Sequence, residues 1–65
     1  MEITENDFLA SFCTYCGTYT DEVREFGKRL LDSGVNDPRW AYVLYLRNLG
    51  VEHWKDSARS LGFQV

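Results

Sequence analysis

The sequence predicts an all-α fold: one compact domain over residues 1–65, a bundle of four short helices at about 5–16, 21–33, 38–49 and 52–61. Three observations predict it. Apolar residues recur at helical spacing, and no run alternates like a strand between hairpin turns. Four of the five glycines, Gly17, Gly34, Gly50 and Gly62, each follow a stretch of helical character. Residues that cap helix starts, Thr4, Thr20 and Asp37, stand ahead of three of these stretches.

The first helix begins after Thr4, whose hydroxyl can accept a first-turn N–H. Glu5 and Asp7 meet the positive end of the helix dipole. Phe8, Leu9, Phe12, Cys13 and Cys16 fall on one side. The second helix repeats the start, with Thr20 ahead of Asp21 and Glu22. It carries an apolar stripe of Val23, Phe26, Gly27, Leu30 and Leu31. Gly27 lies on that stripe, so it is expected to admit another helix closely rather than break its own. The outer face is charged, and Glu25 is spaced to pair with Arg29.

The third helix has the strongest start, Asp37-Pro38, with a capping carboxylate followed by the residue whose fixed φ suits the first turn. Trp40 to Leu46 are seven consecutive apolar residues, which predicts a central helix covered on most sides. The fourth has no good cap, because Val51 stands where one is wanted. It turns Trp54, Ala58 and Leu61 inward and Glu52, Lys55, Asp56 and Arg59 outward. The ends of the third and fourth, Arg47-Asn48-Leu49-Gly50-Val51 and Arg59-Ser60-Leu61-Gly62-Phe63, are near copies. Each sets a cation in the last turn, a glycine for the left-handed stop and an apolar residue to fold back.

Composition narrows the function. Sixty-five residues bury only about 60% of the surface exposed by the unfolded chain, so stability is thin. Two Trp, four Tyr and four Phe compensate, since each ring can bury roughly 150–250 Å². Beside such a core a deep catalytic pocket is hard to fit, and no enzyme is expected. With 45% hydrophobic and 26% charged residues, the chain is neither a disordered tail nor a membrane span. Residues 1–12 hold Glu2, Glu5 and Asp7 without a basic start or a long apolar run, so a cytoplasmic protein is expected. The formal charge of −3 is uneven: residues 1–23 hold five acids and no base, residues 24–65 seven bases and five acids.

The sharpest motif is Cys13-Thr14-Tyr15-Cys16-Gly17, which resembles one knuckle of a zinc ribbon or rubredoxin. A structural zinc takes four ligands, and one Cys pair with His53 leaves the set short. The resemblance implies a zinc site completed by His53 and a carboxylate, or a zinc-bridged homodimer. The alternative is two small apolar core residues. A redox role would place the pair at a helix N-terminus, and here it falls near a C-terminus. Ala58 to Phe63 is similar to the end of a first helix in a helix-turn-helix, but the sequence supplies no recognition helix after it. Trp54 to Gly62 resembles a death-domain helix, a fold of six helices that needs more chain.

Two classes of function remain, with a weaker third. The first is a non-catalytic protein-interaction module. A small, acidic, aromatic-rich chain is similar in general form to the accessory proteins of phages and mobile elements that inhibit host complexes, anti-CRISPR and DNA-mimic proteins among them. That likeness implies occlusion: Glu2, Glu5, Asp7, Asp21, Glu22 and Glu25 would meet a basic groove on a nucleic-acid-handling partner. Trp40, Tyr42 and Tyr45 are candidate interface anchors, since one helix cannot bury all three if any side is open. A core role stands beside that reading. No cofactor is expected under it. The second class is the zinc-binding module on Cys13 and Cys16. The third is a nucleic-acid binder through Arg24, Lys28, Arg29, Arg39 and Arg47.

Overall fold

Each helix starts and stops where local chemistry tells it to. A computed structural model describes residues 4–65 and shows α1 (Glu5–Cys16), α2 (Asp21–Asp32), α3 (Pro38–Leu49) and α4 (Trp54–Ser60), with no strand among them. Thr4 Oγ1 accepts from the Asp7 amide at 3.1 Å and Thr20 Oγ1 from the Val23 amide at 3.3 Å. Asp37 Oδ1 accepts from the Arg39 amide at 3.0 Å, with Pro38 opening the helix. The stops share one geometry. Gly17, Gly34, Gly50 and Gly62 all have positive φ, and the residue after each donates back to the carbonyl five positions before it. The amides of Thr18, Val35, Val51 and Phe63 thereby find acceptors in the carbonyls of Cys13, Leu30, Leu46 and Ala58 and close each helix end.

The fourth helix is shorter than the predicted 52–61, and the second ends at Asp32 rather than residue 33. The cause at α4 is the stop of α3. Val51 is committed to Leu46, and residues 51–53 must reverse the chain, with Trp54 N–H on the Val51 carbonyl at 3.2 Å. His53 then occupies the N-cap without a side-chain bond.

α1 and α3 form the centre. Phe12 meets Tyr45 edge-on at 5.9 Å and Tyr15 stacks on Tyr42 at 6.1 Å, so the two helices run in opposing directions. α2 covers one side through Phe26, which contacts both Phe12 and Tyr45. Gly27 makes this approach possible: a Cβ there would stand 2.6 Å from Phe12 Cδ2. The core comprises Phe8, Leu9, Phe12, Cys13, Val23 and Ala41. Each buried ring removed from water contributes roughly 1.5–3 kcal/mol.

The apolar run of α3 has a simple cause. One face, with Ala41, Tyr42 and Tyr45, packs toward α1 and α2. Residues offset by half a turn face α4, where Trp40 meets Phe63 at 5.1 Å and Val43 and Ala58 are fully buried. α4 packs on α3 alone. No helix among the described residues is long and apolar enough to cross a membrane.

Candidate interaction surface

The capped starts of α1 and α2 carry most of the predicted acids, and two grooves along these helices gather them. Glu5, Asp21 and Glu25 line a groove between the two helices, floored by Leu9 and shared with Arg24 and Lys28. Asp21 and Glu25 also border a second groove with Glu22 and Arg29, floored by Phe26. Glu5, Asp21, Glu22 and Glu25 are all exposed. Asp7 is not part of this surface. It projects from the outer face of α1, in register with Ala10 and Thr14. Glu2 lies outside the described residues.

Among the described residues, none of Glu5, Asp7, Asp21, Glu22 and Glu25 is held by an ion pair. Among the described residues the ion pairs are Arg39–Asp37 at 3.4 Å and Arg59–Asp56 at 3.2 Å, both solvent-exposed. The expected Glu25–Arg29 pair does not form. Both side chains instead flank Phe26, on the rim of the same groove. The acidic surface is also interleaved with cations, because the basic second half of α2 lies beside the acidic start of α1.

The three aromatic candidates of α3 are half-buried and occupy different places. Tyr45 is wedged between Phe12 and Phe26, at 5.9 and 5.3 Å, and works as a core residue. Tyr42 backs the exposed ring of Tyr15. Trp40 lies on the opposite, α4-facing side against Phe63. Besides Tyr15, pattern reading missed the exposed Tyr19, 72% accessible in the loop after α1 and bonded to Thr14 Oγ1 at 2.8 Å. No helical periodicity marks it, because it sits outside the helices.

The cysteines are free thiols on the core side of α1. Burial pushes the Cys16 thiol up to about 11, and the neighbouring Cys13 adds to the rise. Burial also raises Cys13, partly offset by the nearby Arg24 guanidinium. Both therefore carry their protons at neutral pH, whereas a metal or a thiol reaction takes the thiolate. Cys13, Cys16 and His53 are not brought together: no group of three His, Cys, Asp or Glu side chains converges among the described residues. The candidate basic patch divides likewise. Arg24, Lys28 and Arg29 lie on α2, whereas Arg39 and Arg47 stack over Phe63 and Trp54 at 5.5 Å, toward α4.

No family model, curated protein or solved structure matches the chain. The functional reading therefore rests on the chemistry of this surface.

Proposed function

We propose that the chain is a small, non-catalytic protein-interaction module that engages its partner through the grooves of α1 and α2. One observation supports this above others. Glu5, Asp21, Glu22 and Glu25 stand exposed and free of ion pairs among the described residues, around grooves floored by Leu9 and Phe26. An apolar floor with a charged rim has the anatomy of a docking surface. The carboxylates speed encounter with a basic partner, and the floors supply contacts that hold it.

In this reading the partner is a nucleic-acid-handling protein of the cytoplasm. The module inhibits it by occluding its basic groove, in the manner of phage accessory, anti-CRISPR or DNA-mimic proteins. Arg24, Lys28 and Arg29 among the acids refine the idea. The matching face is basic with acidic points, so it differs from a bare phosphate-binding track.

The test is capture by the tagged chain from its own cell, compared with a Glu5→Lys/Asp21→Lys/Glu25→Lys variant. The partner should be lost from the variant and retained by an Asp7→Lys control. It should also be captured free of nucleic acid, and binding should weaken as salt rises. Equal retention by a folded triple variant would refute the acidic surface. Partner captured with its nucleic acid still bound would refute occlusion.

A further inference from the structure

Seven cations are spread over the chain, and five of them have a carboxylate for company. Arg39 and Arg59 are ion-paired to Asp37 and Asp56. Arg24, Lys28 and Arg29 share their grooves with Glu5, Asp21, Glu22 and Glu25. Arg47 and Lys55 differ. Neither has an ion pair among the described residues, and both converge on one ring. Arg47 Cζ lies 5.5 Å and Lys55 Nζ 5.7 Å from the centre of the Trp54 indole. The fold imposes this convergence. Arg47 stands in the last turn of α3, Trp54 and Lys55 open α4, and the left-handed stop at Gly50 turns one helix back on the other. Trp54 is half-buried, whereas both cations are exposed. Indole is the aromatic ring that attracts a cation best, and both charges lie within its reach of about 6 Å.

We infer that Arg47 and Lys55, gathered by Trp54, form a binding site for a chain of linked phosphates, a di- or triphosphate group. Charge points to such a ligand. The ring holds the two cations no more than about 11 Å apart, and they repel each other there, because a quadrupole attracts a cation without neutralising it. The acids nearest in sequence do not relieve this: Asp56 is paired with Arg59, and Glu52 has no ion pair with either cation. A single phosphate can meet one of the two groups well. Linked phosphates carry several charges on neighbouring oxygens and reach both, with one charge-assisted hydrogen bond at each end. The two side chains suit the task differently. The Arg47 guanidinium is a flat fork that grips two oxygens of one phosphate, and the Lys55 ammonium is a point charge with three donors for the next. Trp54 is then a positioning residue that fixes the spacing of the pair. The site shares no residue with the α1 and α2 grooves and does not rest on the acidic-surface reading.

Nitrogen–proton correlation NMR of the full chain, titrated with sodium tripolyphosphate at about 20 mM salt, tests it. The indole N–H signals of Trp40 and Trp54 are told apart by a Trp40→Phe variant. The Trp54 indole and the amides of Arg47 and Lys55 should shift with a dissociation constant of about 0.1–1 mM, and the Trp40 indole should stay in place. Arg47→Gln and Lys55→Gln, both at exposed positions, should each weaken binding about tenfold, and Arg29→Gln should leave it unchanged. Orthophosphate should bind at least about tenfold more weakly than tripolyphosphate. Adenosine triphosphate distinguishes the sources: binding equal to tripolyphosphate assigns a bare phosphate chain, and tighter binding assigns a nucleotide. Trp54 signals unmoved by about 10 mM tripolyphosphate would overturn the inference. So would full binding by a folded Arg47→Gln/Lys55→Gln chain, which would place the anion elsewhere. A single-stranded oligothymidylate that outcompetes tripolyphosphate would also overturn it, in favour of a nucleic-acid backbone.

Discussion

Replacing Gly27 by alanine sets two effects of opposite sign against each other. In an open helix the change would stabilise by up to about 1 kcal/mol, because glycine loses more backbone freedom on folding. In this fold the new Cβ would stand 2.6 and 2.9 Å from Phe12 Cδ2 and Cε2 and 3.1 Å from Leu9 Cδ2. Phe12 cannot swing aside. It is fully buried, with Phe8 and Phe26 at 6.4 Å and Tyr45 at 5.9 Å. Forcing a methyl into such packing costs about 1–3 kcal/mol, and a contact this short belongs near the upper end. The expected net loss is about 1–2 kcal/mol, or a fall in Tm of roughly 5–15 °C for a domain this small. Urea titration and thermal melting followed by circular dichroism measure it. Shortening the opposing ring should relieve the strain, so Gly27→Ala/Phe12→Leu should lose about 1 kcal/mol less than the sum of the single changes. A Gly27→Ala chain as stable as wild type, or more so, would refute the close approach of α1 and α2.

Tyr45→Phe should be nearly neutral in urea titration, whereas Tyr45→Ala should cost about 3 kcal/mol, since the ring packs on Phe12 and Phe26 and its hydroxyl has no bonded partner among the described residues. Equal losses would mean that the hydroxyl carries the effect. Asp37→Ala removes the cap of α3 and should cost about 1 kcal/mol, measured the same way; no change would show that Pro38 alone sets the start. Cys16 holds its proton to higher pH in the folded chain, about 11 against the ordinary 9.0. Its contribution is therefore complete below pH 9 and is lost as pH rises through about 11. The urea midpoint should fall across that window, and Cys16→Ser should flatten the fall. An identical slope in Cys16→Ser would place the effect elsewhere.

The elements were legible because their signals are local. A capping Thr or Asp bonds within three residues, and a left-handed glycine closes the helix it follows, so neither depends on a distant part of the chain. Gly27 was legible for a related reason: a glycine on an apolar stripe marks a close neighbour, although only the structure shows that neighbour to be Phe12. The start of α4 was misjudged because Val51 is consumed in ending α3, a competition between adjacent signals that each predict well alone. The partition of rings on α3 was not legible at all. A run apolar on every side states that a helix is covered, but not which face meets α1 and which meets α4.

The same limit governs the charge. Along the chain, five acids without a base precede a net-positive remainder, and that order predicts a directional surface. Folding α2 back along α1 undoes much of it. Lys28, from the positive part, shares a groove with Glu5, from the negative part. Asp7 is separated by the helical turn from the acids nearest to it in sequence. What remains is a small group of acids, Glu5, Asp21, Glu22 and Glu25, each sharing a groove with a cation and an apolar floor. A surface so divided loses long-range pull within about a Debye length, and under the proposed role it would recognise a partner by matching signs at short range. Salt should therefore slow association by less than an order of magnitude, whereas reversing any one of these acids should raise dissociation. A steep salt dependence of the on-rate, with dissociation unchanged by single reversals, would instead describe a long-range electrostatic mimic.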